Sequence, residues 1–245
     1  MKHMSTFILV HGAFAGKYAW DKVKTLLEKA GHTVKAFDLP SHGDDTTPPG
    51  ETSFDSYLNT VMAEVNTVDE KVLLVGHSMA GVVISAVAEN IPAKIDKLVY
   101  LSAYLPKNGQ SLEELAYTDT ESLIGKNLQF APDYSGAFLP DAITEEVFAG
   151  DCTNEIKQLV VDKSKGKLEP LAAFSAKPLL TENNFGSVPK YYIETLKDLG
   201  VGNTLQQQMV QDNGSVKKVY SLNCGHSSYF ALPEDLANIL IGLAG

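Results

Sequence analysis

The chain predicts an α/β protein with a mostly parallel sheet of about six strands, helices on both faces and a helical cap. Three observations carry this. Short apolar runs alternate with helix-period segments over the first hundred residues. The alternation stops between 105 and 185 and then returns. Gly76-His77-Ser78-Met79-Ala80-Gly81 sits where the strongest apolar run meets a small-residue helix. Alternating strand and helix signals mean a parallel sheet with crossover helices.

The elements follow in order. Thr6 to Val10 is a buried-strand run ending at His11-Gly12. Tyr18 to Ala30 carries apolar residues at helical spacing and stops at Gly31. Thr33 to Phe37 reads as the second strand, and Phe54 to Val65 as a helix capped by Thr52 or Ser53. Lys71 to Val75 is the third strand and Ser78 to about Glu89 its helix; Lys97 to Leu101 is the fourth strand. The stretch from 105 to 185 holds irregular helical fragments and no convincing core strand, yet Phe130, Tyr134, Phe138, Phe148 and Phe174 make it too apolar for a linker. We read it as a mostly helical cap inserted in a single domain whose core is residues 1–104 and 186–245. Strands at Lys190 to Glu194 and Lys217 to Leu222, with helices near Thr204 to Gln211 and Pro233 to Leu243, complete the core.

Composition narrows the function. With 245 residues the chain can bury roughly 70–75% of its unfolded surface, so it needs no disulfide or metal staples. Thirty Asp and Glu against 20 Lys and no Arg give a net charge of −10. An acidic chain has no broad attraction for phosphate backbones, and without Arg it has no planar bidentate clamp. Cys152 and Cys224 form no CxxC pair, which fits a reducing compartment, and no apolar run reaches membrane-spanning length. Met1-Lys2-His3-Met4 reads as a short leader or an expression scar, and cytoplasm is the expected compartment. The expected partner is a small molecule, with no nucleic acid, membrane or cofactor; a homodimer stays open.

The strand-to-helix Gly-x-Ser-x motif makes Ser78 the candidate nucleophile. A serine hydroxyl needs a base, and of the six histidines His226 follows the last strand, on the sheet edge where the loops converge. His11 and His77 flank the same edge in structural positions, His42 could line the site, and His32 begins a strand at the opposite edge. A third group must hold the imidazole, and the chain order Ser, acid, His selects Asp198 over Asp212, Asp151 and Asp162. Backbone N–H groups of Ala13 and Met79 are the expected oxyanion donors. Gly12, Phe14, Tyr104 and Phe138 are the expected substrate contacts.

These residues carry a resemblance. Val10-His11-Gly12-Ala13, Gly16-x-x-x-Trp20, Gly76-His77-Ser78-Met79, Phe185-Gly186-Ser187-Val188, Tyr192-Ile193-Glu194 and Gly225-His226 resemble the α/β-hydrolase superfamily. The branch is that of plant methylesterases, hydroxynitrile lyases and bacterial pyrethroid-hydrolase-like carboxylesterases. The resemblance implies the same triad, Ser78, Asp198 and His226, and the same oxyanion donors. It departs at Ala80, where glycine is usual, and at Val201-Gly202, where a proline often lies beyond a Val or Ile. In the resembling lyases a lysine follows the catalytic histidine, or Thr or Asn replaces the glycine after the first-strand histidine; here Ser227 and Gly12 stand there. The expectation is a serine carboxylesterase acting on small esters through an acyl-enzyme. The alternatives are a hydroxynitrile lyase and a catalytically weak ligand-binding protein on the same scaffold.

Overall fold

A computed structural model describes residues 4–245; the leader or scar expected at Met1–His3 lies outside the described residues. In chain order the elements are β1 (Thr6–Val10), α1 (Asp21–Lys29), β2 (Thr33–Ala36), α2 (Phe54–Asn66), β3 (Val72–His77), α3 (Ala80–Asn90) and β4 (Ile95–Leu101). The chain then leaves the sheet through α4 (Leu112–Ala116), α5 (Ile124–Asn127), β5 (Gln129–Phe130), β6 (Ala137–Phe138), α6 (Asp141–Ala149) and α7 (Asn154–Ser164). It returns with β7 (Lys190–Thr195), α8 (Asn203–Asn213), β8 (Val216–Leu222), α9 (Ser228–Ala231) and α10 (Pro233–Leu243).

Six strands form one parallel sheet in the order β2-β1-β3-β4-β7-β8. The chain builds outward from β1 to β2, then crosses to β3 on the other side of β1. The loops after β1 and β3 therefore diverge and leave a crevice at the carboxyl ends of the strands. β3 is buried along its whole length, as a central strand covered on both faces must be. Successive residues of β1 divide between two cores. Ile8 and Val10 pack with Val61, Val83 and Val87 of α2 and α3. Phe7 and Leu9 pack with Val23, Leu27, Leu236 and Leu240 of α1 and α10. That two-residue period fixes which helices cover which face. The edge strand β8 keeps Lys217 and Lys218 in solvent, which discourages pairing with another sheet.

Helix starts follow local chemistry. Ser53, not Thr52, caps α2: its Oγ accepts the Ser56 N–H at 3.1 Å, and Ser56 Oγ accepts the Ser53 N–H at 3.2 Å. α3 begins at Ala80 and not at Ser78, because Ser78 lies in the left-handed region at φ 54°. The segment between β4 and β7 adds a two-stranded antiparallel ribbon, β5-β6, to its helices. Its apolar centre, Leu139, Val147, Phe148 and Val160, packs with Phe14, Leu199 and Phe230 from the loops of the sheet. No helix among the described residues is long and apolar enough to cross a membrane.

The return of this segment is tied down by Glu89 of α3. Its carboxylate accepts the Thr181 N–H and hydroxyl, both at 2.8 Å, the Asn184 amide at 3.1 Å and the Phe185 N–H at 3.2 Å. Glu89→Ala is expected to lower stability by about 1–3 kcal/mol, the scale of losing charge-assisted bonds to one group. The denaturant midpoint should fall with an unchanged slope. A midpoint equal to the parent protein's would show that the clamp contributes nothing.

Candidate active site

Ser78 occupies the turn between β3 and α3. Its positive φ is uncommon for a residue with a side chain and is held by tertiary contacts. The Ser78 N–H donates to the Leu101 carbonyl at 3.2 Å, and the Ser78 carbonyl accepts the N–H groups of Gly81 and Tyr104, both at 3.1 Å. Close packing decides where glycine is required. A Cβ at Gly81 would lie 2.1 Å from the Tyr104 carbonyl oxygen, and one at Gly12 would lie 2.7 Å from Ser78 Cβ. Ala80 is buried and accommodated, so the departure from the usual motif falls at a tolerant position.

His226 is fully buried and its Nδ1 lies 2.9 Å from both carboxylate oxygens of Asp198. Asp198 also accepts the Thr195 hydroxyl at 2.5 Å, the N–H groups of Gly200 and Val201 at 2.7 and 2.8 Å, and the Gln206 amide at 3.1 Å. These backbone donors wrap the acid loop without the proline the resemblance led us to look for. With Nδ1–H committed to Asp198, the imidazole lone pair sits on Nε2, which is buried and has no hydrogen-bond partner. Ser78 Oγ is not hydrogen-bonded to Nε2; catalytic hydrogen bonds of this kind often tighten only in the transition-state complex. The two are brought to one place through His77, which precedes Ser78 in the chain. Its ring lies 4.5 Å from the His226 ring, and its Nε2 donates to the His226 carbonyl at 3.0 Å.

The other histidines have structural partners. Burial, reinforced by the neighbouring His226, holds His77 neutral, well below the ordinary histidine value. Burial and the neighbouring His42 push His11 down to about 3. In its neutral form, His11 Nδ1–H donates to the Gly12 carbonyl at 2.8 Å and Nε2 accepts the Leu39 N–H at 3.0 Å. His42 is buried against Glu169 and lies outside the main cavity lining. His32 packs its ring against Phe7. Asp212 pairs with Lys107, Asp162 accepts the Gln158 amide, and Asp151 accepts the Gly225 N–H at 2.6 Å.

A cavity of about 770 Å³ opens over Ser78, bounded by Ala13, Phe14, Met79 and Tyr104 and by apolar side chains such as Leu112, Leu128 and Phe174. Neither the Ala13 nor the Met79 N–H is taken by a protein acceptor among the described residues, so both donors remain available beside Ser78. Two expected contacts are placed elsewhere. Gly12 packs beneath Ser78, and Phe138 stands on β6, 36% exposed and outside the lining. Gln206, Thr195 and Glu169 carry no motif of their own in the sequence and meet the groups they hold only through the fold; His42, read from sequence as able to line the site, bonds Glu169 instead. Among the described residues no group of three or more His, Cys, Asp or Glu side chains could hold a metal ion.

Comparison with known proteins gives a consistent picture. Residues 7–239 match the profile of the Alpha/beta hydrolase family. The chain is 30% identical over 100% of its length to salicylic acid-binding protein 2 of Nicotiana tabacum, covering 98% of that protein. It is 33% identical over 97% of its length to a protein of Arabidopsis thaliana provisionally named methylesterase 11, chloroplastic, but spans only 63% of it. Among solved structures, polyneuridine aldehyde esterase superposes with a TM-score of 0.87 at 26% identity, covering 99% of this chain and 100% of that one. A pyrethroid hydrolase superposes with a TM-score of 0.85 at 26% identity, covering 98% and 97%.

The elbow packing yields a direct test. Gly81→Ala should destabilise the protein by about 1–3 kcal/mol or more, since backbone must move to admit one methyl. Ala80→Gly should cost about 1 kcal/mol, the helix-propensity difference. Thermal melts of the two variants compare them; equal stability of Gly81→Ala and parent would contradict the close approach to Tyr104.

Proposed function

The chain belongs to the alpha/beta hydrolase family, in the branch holding plant methylesterases and pyrethroid hydrolases, and on that premise we propose that it is a serine carboxylesterase acting on small carboxylic esters. The observation that carries the reading is the buried His226, bonded through Nδ1 to Asp198 with Nε2 unpartnered and the ring packed on His77, the residue that precedes a serine held in a left-handed turn. In the proposed reaction the ester carbonyl lies over Ser78 with its oxygen toward the N–H groups of Ala13 and Met79. His226 Nε2 takes the hydroxyl proton as Ser78 Oγ attacks. The tetrahedral oxyanion accepts from both N–H groups, each worth on the order of 2.7–4 kcal/mol at the transition state. Collapse breaks the ester C–O bond, and His226 returns the proton to the departing alcohol. Water, deprotonated by His226, then hydrolyses the acyl-enzyme and restores Ser78. Asp198 keeps the proton on Nδ1 and stabilises the imidazolium without itself being protonated.

The segment 105–185 serves in this reading as a cap whose apolar side chains enclose the acyl or alcohol group. Two free cysteines fit a reducing compartment, which we propose to be the cytoplasm. A hydroxynitrile lyase would use the same triad with a cation near the leaving cyanide. The residue after His226 is Ser227, buried and hydrogen-bonded to Tyr229, so the ester reaction is preferred. A ligand-binding role, as the tobacco relative's name states for that protein, is separated from this one by turnover.

Ser78→Ala should lower kcat for p-nitrophenyl acetate or butyrate by about 10⁶, to the limit of detection, with the fold intact. More than a few per cent residual turnover would remove Ser78 from the mechanism. Asp198→Asn should cost about 10⁴ in kcat by favouring the wrong imidazole tautomer, while Asp212→Asn should match the parent; the reverse ranking would reassign the acid. Assayed on racemic mandelonitrile with the spontaneous rate subtracted, the parent should release no benzaldehyde. Release of benzaldehyde without ester turnover would favour the lyase.

A further inference from the structure

The loop bearing the Ala13 donor is gripped from both sides. A trans peptide points its C=O and N–H in opposite directions. The Gly12 carbonyl and the Ala13 N–H belong to one peptide, so His11 Nδ1–H, by holding that carbonyl at 2.8 Å, sets the direction of the Ala13 N–H. The next peptide joins Ala13 to Phe14, and its N–H donates to Glu169 Oε2 at 2.6 Å. Phe14 sits at φ 58°, an uncommon conformation for an aromatic residue that relaxes unless something holds it. The holder comes from the segment between β4 and β7, where Glu169 is fixed by two backbone bonds to Ala137, at 2.7 and 2.9 Å.

Glu169 is itself held by an unusual partner. Its side chain is 1% exposed and that of His42 is 3% exposed. His42 Nε2 lies 3.0 and 3.1 Å from the two carboxylate oxygens, while Nδ1 lies 2.9 Å from the Pro40 carbonyl. Both ring nitrogens face acceptors, so the pair must hold one proton more than a neutral histidine and a carboxylate together would. Burial works against an imidazolium here, but the Glu169 carboxylate, the Pro40 carbonyl and Asp38 together outweigh it and raise His42 above the ordinary histidine value. A buried ion pair is weak as a source of stability and better suited to fixing one geometry.

We propose that Glu169 is a positioning residue for the oxyanion hole: braced by His42, it holds the Phe14 N–H and thereby aims the Ala13 N–H at the substrate carbonyl oxygen. This rests on the esterase reading of the site. It makes the hole a joint product of the core and the segment that covers it, because the loop after β1 reaches its working shape only with Glu169 seated.

The test is a set of three variants assayed on p-nitrophenyl acetate. Glu169→Gln can keep every bond: its carbonyl accepts the Phe14 N–H, its amide donates to the Nε2 of a neutral His42, and Nδ1–H still reaches Pro40. It should stay within about threefold of the parent in kcat. Glu169→Leu removes the acceptor, and Glu169→Asp withdraws it by one methylene while keeping the charge. Each should lower kcat by about 10–100-fold, since misaiming one donor costs part of the 10²–10³ that its loss costs. KM should change less than threefold, because the hole acts on the transition state. If Glu169→Leu does not fold, the contrast of Asp with Gln decides. Parent-like kcat in Leu or Asp, a loss confined to KM, or Gln as impaired as Asp would overturn the proposal. Absence of ester turnover by the parent protein would instead overturn the esterase reading.

Discussion

The Asp198 carboxylate is the group on which the arrangement at the strand ends depends. A buried carboxylate is costly unless its oxygens are filled, and here they receive a hydroxyl, two backbone N–H groups, a side-chain amide and an imidazole. The satisfied acid fixes three things together. It folds the loop after β7 around itself, it pins the start of α8 through Gln206, and it holds the His226 ring in one plane and one tautomer. The ring is confined further by Gly200, where a Cβ would lie 2.8 Å from the imidazole. The buried Nε2 keeps a lone pair with no protein partner, because the ring proton is committed to Asp198 through Nδ1.

The segment between β4 and β7 completes this arrangement by the same physical means at three places. Asp119 accepts the Gly202 N–H of the acid loop at 2.7 Å, Asp151 accepts the Gly225 N–H of the histidine loop at 2.6 Å, and Glu169 accepts the Phe14 N–H of the loop after β1. Each is a carboxylate filling a backbone donor that a loop cannot satisfy internally. A chain with no arginine thus anchors its site loops with acids on backbone N–H groups, from the buried Glu169 to the exposed Asp151.

Much of this was legible from residue order. The six core strands stand where apolar runs end at Gly or a polar turn, and the elbow was visible because a Gly-x-Ser motif follows the most apolar run. Asp198 and His226 could be chosen because each follows a late strand, and the parallel sheet places such loops along one edge. What was not legible depends on distant contacts. Ala80 reads as the departure from the usual motif, but the tight approach is at Gly81, against the backbone of Tyr104. Phe138 read as a pocket residue for its apolar character; pairing across the β5-β6 ribbon carries it outside the lining. Glu169 carries no local signal, since an isolated acid in an irregular segment reads as a solvated charge, and only the fold brings it to Phe14.

The central claim is that Ser78 is the one activated hydroxyl of the protein, and an active-site-directed fluorophosphonate tests it most directly. Intact-mass and peptide-mapping measurements should find one phosphonyl group per chain, on Ser78, with ester turnover lost in proportion to labelling. Label on another residue, or turnover that survives complete modification of Ser78, would contradict the account.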